Sequence, residues 1–310
     1  MANREYDYRD YAAFLPAQYT AGLTEPLRTW WPWRGRRIHI ARALVPEAAV
    51  RVMVIHGGGG YSDALWPASA AAAGAGVEIL APDLPLYGHT EEPDPTRVRY
   101  GHWVELLCDL VAAERAADPR PLILFGASMG GMLAYESAAR TGLADAVVVT
   151  CLLDTADPAA RAAATRMPWL GRHAPALPGV IDPALGRLRV PIRWLADIEN
   201  MSTDPALSRL CASDPRGAGA RVPLGFLADW MTYAHTPPQA YAGAPVTLVA
   251  PAADRWTPPE LSIGFLQRIC APTEVIMLDN CGHFPIEEPG LSQLRDGMRR
   301  IVNSVVEPRH

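Results

Sequence analysis

One serine stands between two glycines in Gly126-Ala127-Ser128-Met129-Gly130. The apolar run Leu122–Phe125 precedes it, and a helical pattern starts at Met129. Gly-x-Ser-x-Gly alone says little in a chain with 25 glycines. Between a buried strand and a helix it describes a sharp turn that lifts a serine hydroxyl clear of a sheet. Side chains at 126 and 130 would not fit such a turn. The helix start also brings N–H groups and a positive dipole end to the place where negative charge would develop. That chemistry is nucleophilic attack, and a serine needs a base to take its proton. Of the eight histidines, His283 in Asn280-Cys281-Gly282-His283-Phe284-Pro285 is the candidate base. It follows the last strand pattern, where a loop reaches back over the strand ends. Its imidazole needs an acceptor to hold one tautomer. Asp254, past the run Val246–Val249, is the candidate acid, and Asp154, past Ala146–Thr150, is the alternative. His56 reads as part of a glycine turn, and His89 and His102 as hydrogen-bonding helpers.

A second glycine cluster, His56-Gly57-Gly58-Gly59-Gly60, follows the strand pattern Arg51–Ile55. Without side chains, its backbone approaches a substrate oxygen closely. The N–H of Gly58, with Gly59 as second choice, would join that of Met129 to hold an oxyanion. Gly59, Tyr61, Trp194, Trp230, Trp256 and Phe284 are the candidate substrate contacts. Met167, Trp169, Met201, Phe226 and Met231 add to an apolar rim. Such a lining suits an apolar acyl or aromatic group, although the same residues could form a core of their own.

Composition removes several alternatives. All 28 basic residues are arginine. Without lysine there is no Walker-type phosphate loop, no lysine Schiff base and no Ser–Lys dyad. The net charge of −5 argues against nucleic acid as a partner. Five cysteines without a Cys-x-x-Cys pair suggest neither a disulfide framework nor a metal site. They read as reduced thiols of a cytoplasmic protein. No cofactor is implied, and no run reaches the roughly 18 apolar residues of a membrane span. The lack of lysine, with the excess of Ala, Arg, Pro and Gly, fits a GC-rich bacterial genome.

The elements that must position these groups alternate. Strand patterns cover Arg37–Ala43, Arg51–Ile55, Val77–Ala81, Leu122–Phe125, Ala146–Thr150, Val246–Val249 and Glu274–Leu278. Helical patterns cover 63–74, 97–117, 129–141, 259–270 and 290–304. This alternation describes an α/β fold with a mainly parallel sheet covered on both faces. Residues 68–76 read as an alanine-rich helix end. Residues 155–243, rich in Pro and Gly, are too long for a loop. They read as an inserted cap, with residues 1–154 and 244–310 as the core. The cap holds nine arginines and seven acidic residues. Any anionic substrate group would therefore be met there. Residues 1–35 pack on the sheet edge or form a contact in a homodimer.

With these pieces assembled, the chain resembles the α/β-hydrolase superfamily, especially its serine esterase, lysophospholipase and monoacylglycerol-lipase-like members. The matching segments are His56–Gly60, Asp83-Leu84-Pro85-Leu86-Tyr87-Gly88, Gly126–Gly131, Asp254 and Gly282–Pro285, and they reach from about residue 37 to the C-terminus. The chain order Ser128, Asp254, His283 agrees with that superfamily's order. One departure is Leu86, where the family often has a small residue. The resemblance implies a mostly parallel eight-stranded sheet flanked by helices, with a helical cap after the sixth strand. It also implies hydrolysis of a small-molecule carboxylic ester through an acyl-enzyme. An acyltransferase, a perhydrolase or a cofactor-free lyase would use the same three residues, and a non-catalytic binding protein is a further alternative. Epoxide hydrolases and haloalkane dehalogenases need aspartate where this chain has Ser128.

Overall fold

Strands buried on both faces need unbroken apolar runs, and in the computed structural model such runs form the middle of one sheet. The structure describes residues 5–74, 76–173, 184–194 and 196–307. Two short helices, α1 (Tyr8–Ala12) and α2 (Ala17–Thr20), come first. Strands β1 (Leu27–Trp33) and β2 (Arg36–Ala43) form a hairpin. Its turn residues Arg34 and Gly35 both have positive φ (45° and 79°), the backbone twist that suits a two-residue hairpin loop. Then come β3 (Arg51–Ile55), α3 (Ser62–Ala73), β4 (Glu78–Pro82), α4 (Tyr100–Ala117), β5 (Leu122–Gly126), α5 (Met129–Thr141) and β6 (Ala146–Val149). The segment between β6 and the next strand of the main sheet holds α6 (Pro158–Ala163), α7 (Pro168–His173), β7 (Arg189–Pro191), α8 (Pro205–Ser213), β8 (Arg221–Pro223) and α9 (Leu224–Thr232). Here β7 and β8 pair as a small antiparallel ribbon. The chain closes with β9 (Val246–Pro251), α10 (Pro259–Leu266), β10 (Thr273–Leu278) and α11 (Gly290–Val306).

The strand order is β1-β2-β4-β3-β5-β6-β9-β10. Strand β2 is antiparallel to both its neighbours, and all pairs from β4 to β10 are parallel. The chain reverses direction across the sheet between β4 and β5, so right-handed crossovers place α3 on one face and α4 and α5 on the other. Helix α11 packs on α3, and α4 packs on α5. Helix α11 shows why: Leu291, Leu294, Met298 and Ile301 fall on one buried stripe at helical spacing, with Asp296, Arg299 and Arg300 facing water. No helix among the described residues is long and apolar enough to cross a membrane.

The sequence runs miss β1. Its Trp-Trp-Pro-Trp segment has a proline inside, which argues against a strand, yet proline is tolerated on an edge, where β1 lies. The residues before it do more than fill an edge. Tyr11 and Tyr61 both donate to Asp214 Oδ2 at 2.7 Å, and Tyr19 donates to Glu288 at 2.7 Å. The N-terminal segment therefore crosses α3 and ties the β6–β9 insertion to the C-terminal part of the chain.

Candidate active site

Strand β5 ends at Gly126, and α5 begins three residues later at Met129. This turn has no room for side chains. A Cβ on Gly126 would lie 2.2 Å from Gly130 O, one on Gly130 2.1 Å from Ile55 O, and one on Gly131 1.9 Å from Cys151 O. Ser128 itself is at φ 55°, ψ −127°, a conformation that costs an L-residue of order 1–3 kcal/mol and is held by its surroundings. One such restraint is Thr150, whose hydroxyl accepts from Ser128 N at 2.9 Å. The result is a serine hydroxyl aimed off the sheet toward the loop after β10.

That loop brings His283 Nε2 to 2.8 Å from Ser128 Oγ. On the other side of the ring, Nδ1 lies 2.8 Å from Asp254 Oδ2. An ionised carboxylate only accepts, so Nδ1 carries the ring proton and Nε2 is free to accept from Ser128. Asp254 also accepts from the N–H groups of Trp256 and Thr257 and from the Thr257 hydroxyl (2.8, 2.9 and 2.7 Å). Burial alone would raise its pKa. The neighbouring His283 and these donors outweigh burial and hold it below the ordinary carboxylate range. Thr257 is not legible as a site residue in the sequence, since a threonine three positions past an aspartate is an ordinary turn pattern. Trp256 covers the imidazole, with ring centroids 4.6 Å apart. Asp154, the alternative acid, lies instead 3.8 Å from His235.

The glycine loop abuts the serine turn. A Cβ on Gly57 would meet Met129 N at 2.9 Å and Ser128 Cβ at 3.0 Å. Among the described residues, the N–H groups of Gly58 and Met129 have no acceptor within the protein. The Gly59 N–H lies instead beside the hydroxyl of Tyr87, a phenol whose pKa burial raises and this N–H eases back. His56 holds the loop in place: its Nδ1 donates to Gly57 O at 2.7 Å and its Nε2 accepts from Leu84 N at 2.9 Å. Burial lowers its pKa, which suits a neutral structural imidazole. The neighbouring loop keeps a glycine-like shape despite Leu86, which sits at φ 92°. That conformation costs a residue with a Cβ roughly 1–2 kcal/mol.

A family model described as the alpha/beta hydrolase family matches residues 52–291. The chain belongs to the alpha/beta hydrolase family. None of the curated proteins matches this hydrolase in sequence. Among solved structures, it is similar to a soluble variant of monoglyceride lipase from Saccharomyces cerevisiae, with TM-score 0.72, 17% identity and coverage of 93% of this chain and 98% of that one. It is also similar to the Paleococcus ferrophilus monoacylglycerol lipase, with TM-score 0.63, 23% identity and coverage of 87% and 98%. A third is alpha/beta hydrolase domain-containing protein 10 from mouse, with TM-score 0.57, 17% identity and coverage of 90% and 99%. At these identities the likeness is one of fold.

Two apolar cavities of this hydrolase meet at Ser128 and Gly58. The outer one, about 1160 Å³ with its open mouth, lies between α5 and the β6–β9 insertion. Trp230 and Trp256 line it, as do Met129 and Met231. The inner one, about 920 Å³ with its mouth, runs between α3, α11 and the sheet. His283, Phe284, Gly59 and Met201 line it. Tyr61 and Trp194 do not reach either cavity. Tyr61 is fully buried on Asp214, and Trp194 is 62% exposed. Phe226 packs into the core against Trp103, and Trp169 faces water. The expectation for the arginines of 155–243 also changes. None of them lines either cavity among the described residues. Arg161 is buried but spends its guanidinium on the carbonyls of Thr155 and Gly171. Arg166 pairs with Glu199, and Arg216 with Glu5. Charge on a surface segment says nothing about which side chains turn inward.

Proposed function

We propose that this protein is a serine hydrolase that cleaves a carboxylic ester through an acyl-enzyme. The observation that carries the proposal is the unbroken relay Ser128–His283–Asp254, with 2.8 Å at each step. In this reading Ser128 Oγ attacks the ester carbonyl as its proton passes to His283 Nε2. Asp254 keeps the imidazolium oriented and charge-balanced. The N–H groups of Gly58 and Met129 receive the oxyanion at the positive end of α5. His283 then gives the proton to the leaving alcohol, and the ester C–O bond breaks. A water molecule, deprotonated by His283, attacks the acyl-enzyme carbonyl; the bond from the acyl carbon to Ser128 Oγ breaks, His283 returns the proton to Ser128 Oγ, and the acid leaves.

The apolar cavities on either side of Ser128 support an ester as the substrate, and residues 155–243 are proposed as the cap that shapes the outer one. The monoglyceride and monoacylglycerol lipases among the similar structures are consistent with this reading. Hydrolysis of p-nitrophenyl butyrate, with covalent labelling by a fluorophosphonate, tests it. Ser128→Ala should abolish labelling and lower kcat by several orders of magnitude with the fold kept. Unchanged turnover in that variant would overturn the assignment.

A further inference from the structure

The alanine-rich stretch of α3 has a structural use. Ala64, Ala68 and Ala72 lie at four-residue spacing, hence on one face of α3, and all three line the inner cavity. Opposite them stand Leu294 and Met298 of α11, and Val54 of the sheet closes the interior side. Any larger side chain on that face of α3 would fill the space. The cavity is continuous with Ser128, and among the described residues its lining includes no aspartate, glutamate or arginine. It therefore suits an uncharged aliphatic group, because a charge moved between such apolar walls loses hydration without gaining a partner. Its α3 wall runs from Ala64 to Ala73, a rise of about 13 Å. An extended alkyl chain advances roughly 1.3 Å per carbon, so the lobe holds a chain of about ten carbons.

Which half of the ester enters it follows from the base. His283 lines the inner cavity and not the outer one. The oxygen that takes the proton from His283 is that of the leaving alcohol, so the group attached to that oxygen extends into the inner lobe. The acyl half then lies in the outer cavity, against Trp230 and Met231. We infer that this hydrolase acts on an uncharged ester with an unbranched medium-chain alcohol half, sorted for length by the alanine face of α3. The inference rests on the assignment of Ser128 as the nucleophile of an ester hydrolase.

The experiment uses the full chain and two substrate series: butyrate esters of linear alcohols from methanol to dodecanol, and p-nitrophenyl esters of graded acyl length. Fluorophosphonate labelling counts the correctly folded sites in each variant. For the wild type, kcat/KM should rise with alcohol length to about eight to ten carbons and then fall. Ala68→Phe should lower the octyl-to-methyl ratio by about tenfold or more, without moving the optimum of the acyl series. Met298→Ala, which enlarges the lobe, should raise the dodecyl-to-octyl ratio. A flat alcohol series in an enzyme that hydrolyses esters overturns the lobe assignment alone. So does a shift of the acyl optimum in Ala68→Phe. If wild type and Ser128→Ala are equally inactive on both series, the ester-hydrolase reading itself fails, and this inference with it.

Discussion

Asp254→Asn tests how the relay works more sharply than deletion of any member. The carboxylate accepts at Oδ1 from the N–H groups of Trp256 and Thr257, and at Oδ2 from the Thr257 hydroxyl and His283 Nδ1. Asparagine offers one acceptor oxygen and one NH2 group. With its oxygen at the Oδ1 position it satisfies both backbone donors and turns its NH2 toward His283. Nδ1 must then accept, the ring proton moves to Nε2, and Ser128 loses its base. With the amide flipped, the active tautomer survives, but two partly buried N–H groups face an NH2 and lose their acceptor. Each such loss costs about 1–3 kcal/mol. The inactive arrangement is therefore favoured by at least about 2 kcal/mol, a factor of roughly 30. The active minority also lacks the negative charge beside the imidazolium, which brings the expected fall in kcat/KM to about 10³–10⁴-fold. Measurement on p-nitrophenyl butyrate near neutral pH, with circular dichroism and Tm as fold controls, checks this. Asp154→Asn is the companion variant and should leave turnover near the wild-type level, because Asp154 faces His235. A fall of less than about tenfold in Asp254→Asn would refute the reasoning. So would a larger fall in Asp154→Asn.

Three further outcomes are expected. Gly130→Ala places a Cβ 2.1 Å from Ile55 O, so the turn must shift; a stability loss of about 2 kcal/mol or more should accompany loss of fluorophosphonate labelling, and normal labelling would count against the tight-turn account. Asp214→Ala leaves the buried Tyr11 and Tyr61 hydroxyls without their shared acceptor. It should cost about 2–5 kcal/mol in urea unfolding, whereas a change below about 1 kcal/mol would mean that the N-terminal segment is not tied down there. At low pH, the hydrogen bonds from Arg120 hold the Asp118 carboxylate at about 2. Because the folded pKa lies below the unfolded one, its stabilising share is full above about pH 4. It is lost as pH falls toward 2. Tm measured from pH 5 to 2 should fall less steeply in Asp118→Asn than in the wild type, and parallel curves would exclude a contribution from this pair.

Much of the site is legible along the chain because its demands are local. Gly126, Ser128 and Gly130 belong to one turn, and the close approaches of Gly130 to Ile55 and Gly131 to Cys151 explain why nothing larger than hydrogen fits there. His283 and Asp254 follow strand patterns, so their place at the strand ends follows from alternation in sequence. Residues defined by what lies opposite them are harder to read. Thr257 and Thr150 look like ordinary turn and strand-end residues until the fold sets them against Asp254 and Ser128. Strand β1 is obscured by Pro32, which only an edge position permits.

The amino-acid sequence by itself limits the chemistry available to this protein: a serine on a strand–helix turn, a histidine and an aspartate after later strands, and no lysine to offer another route. It does so because turn geometry and hydrophobic period depend on neighbours a few residues apart. Only the tertiary structure decides what surrounds that chemistry. It buries Tyr61 on Asp214, leaves Trp194 in solvent and turns the arginines of 155–243 away from the cavities. It also converts an alanine-rich helix into the wall of a channel, by setting α11 opposite it from more than two hundred residues away. Side-chain direction and the space left between two helices depend on packing across the whole chain, and no local pattern carries that information.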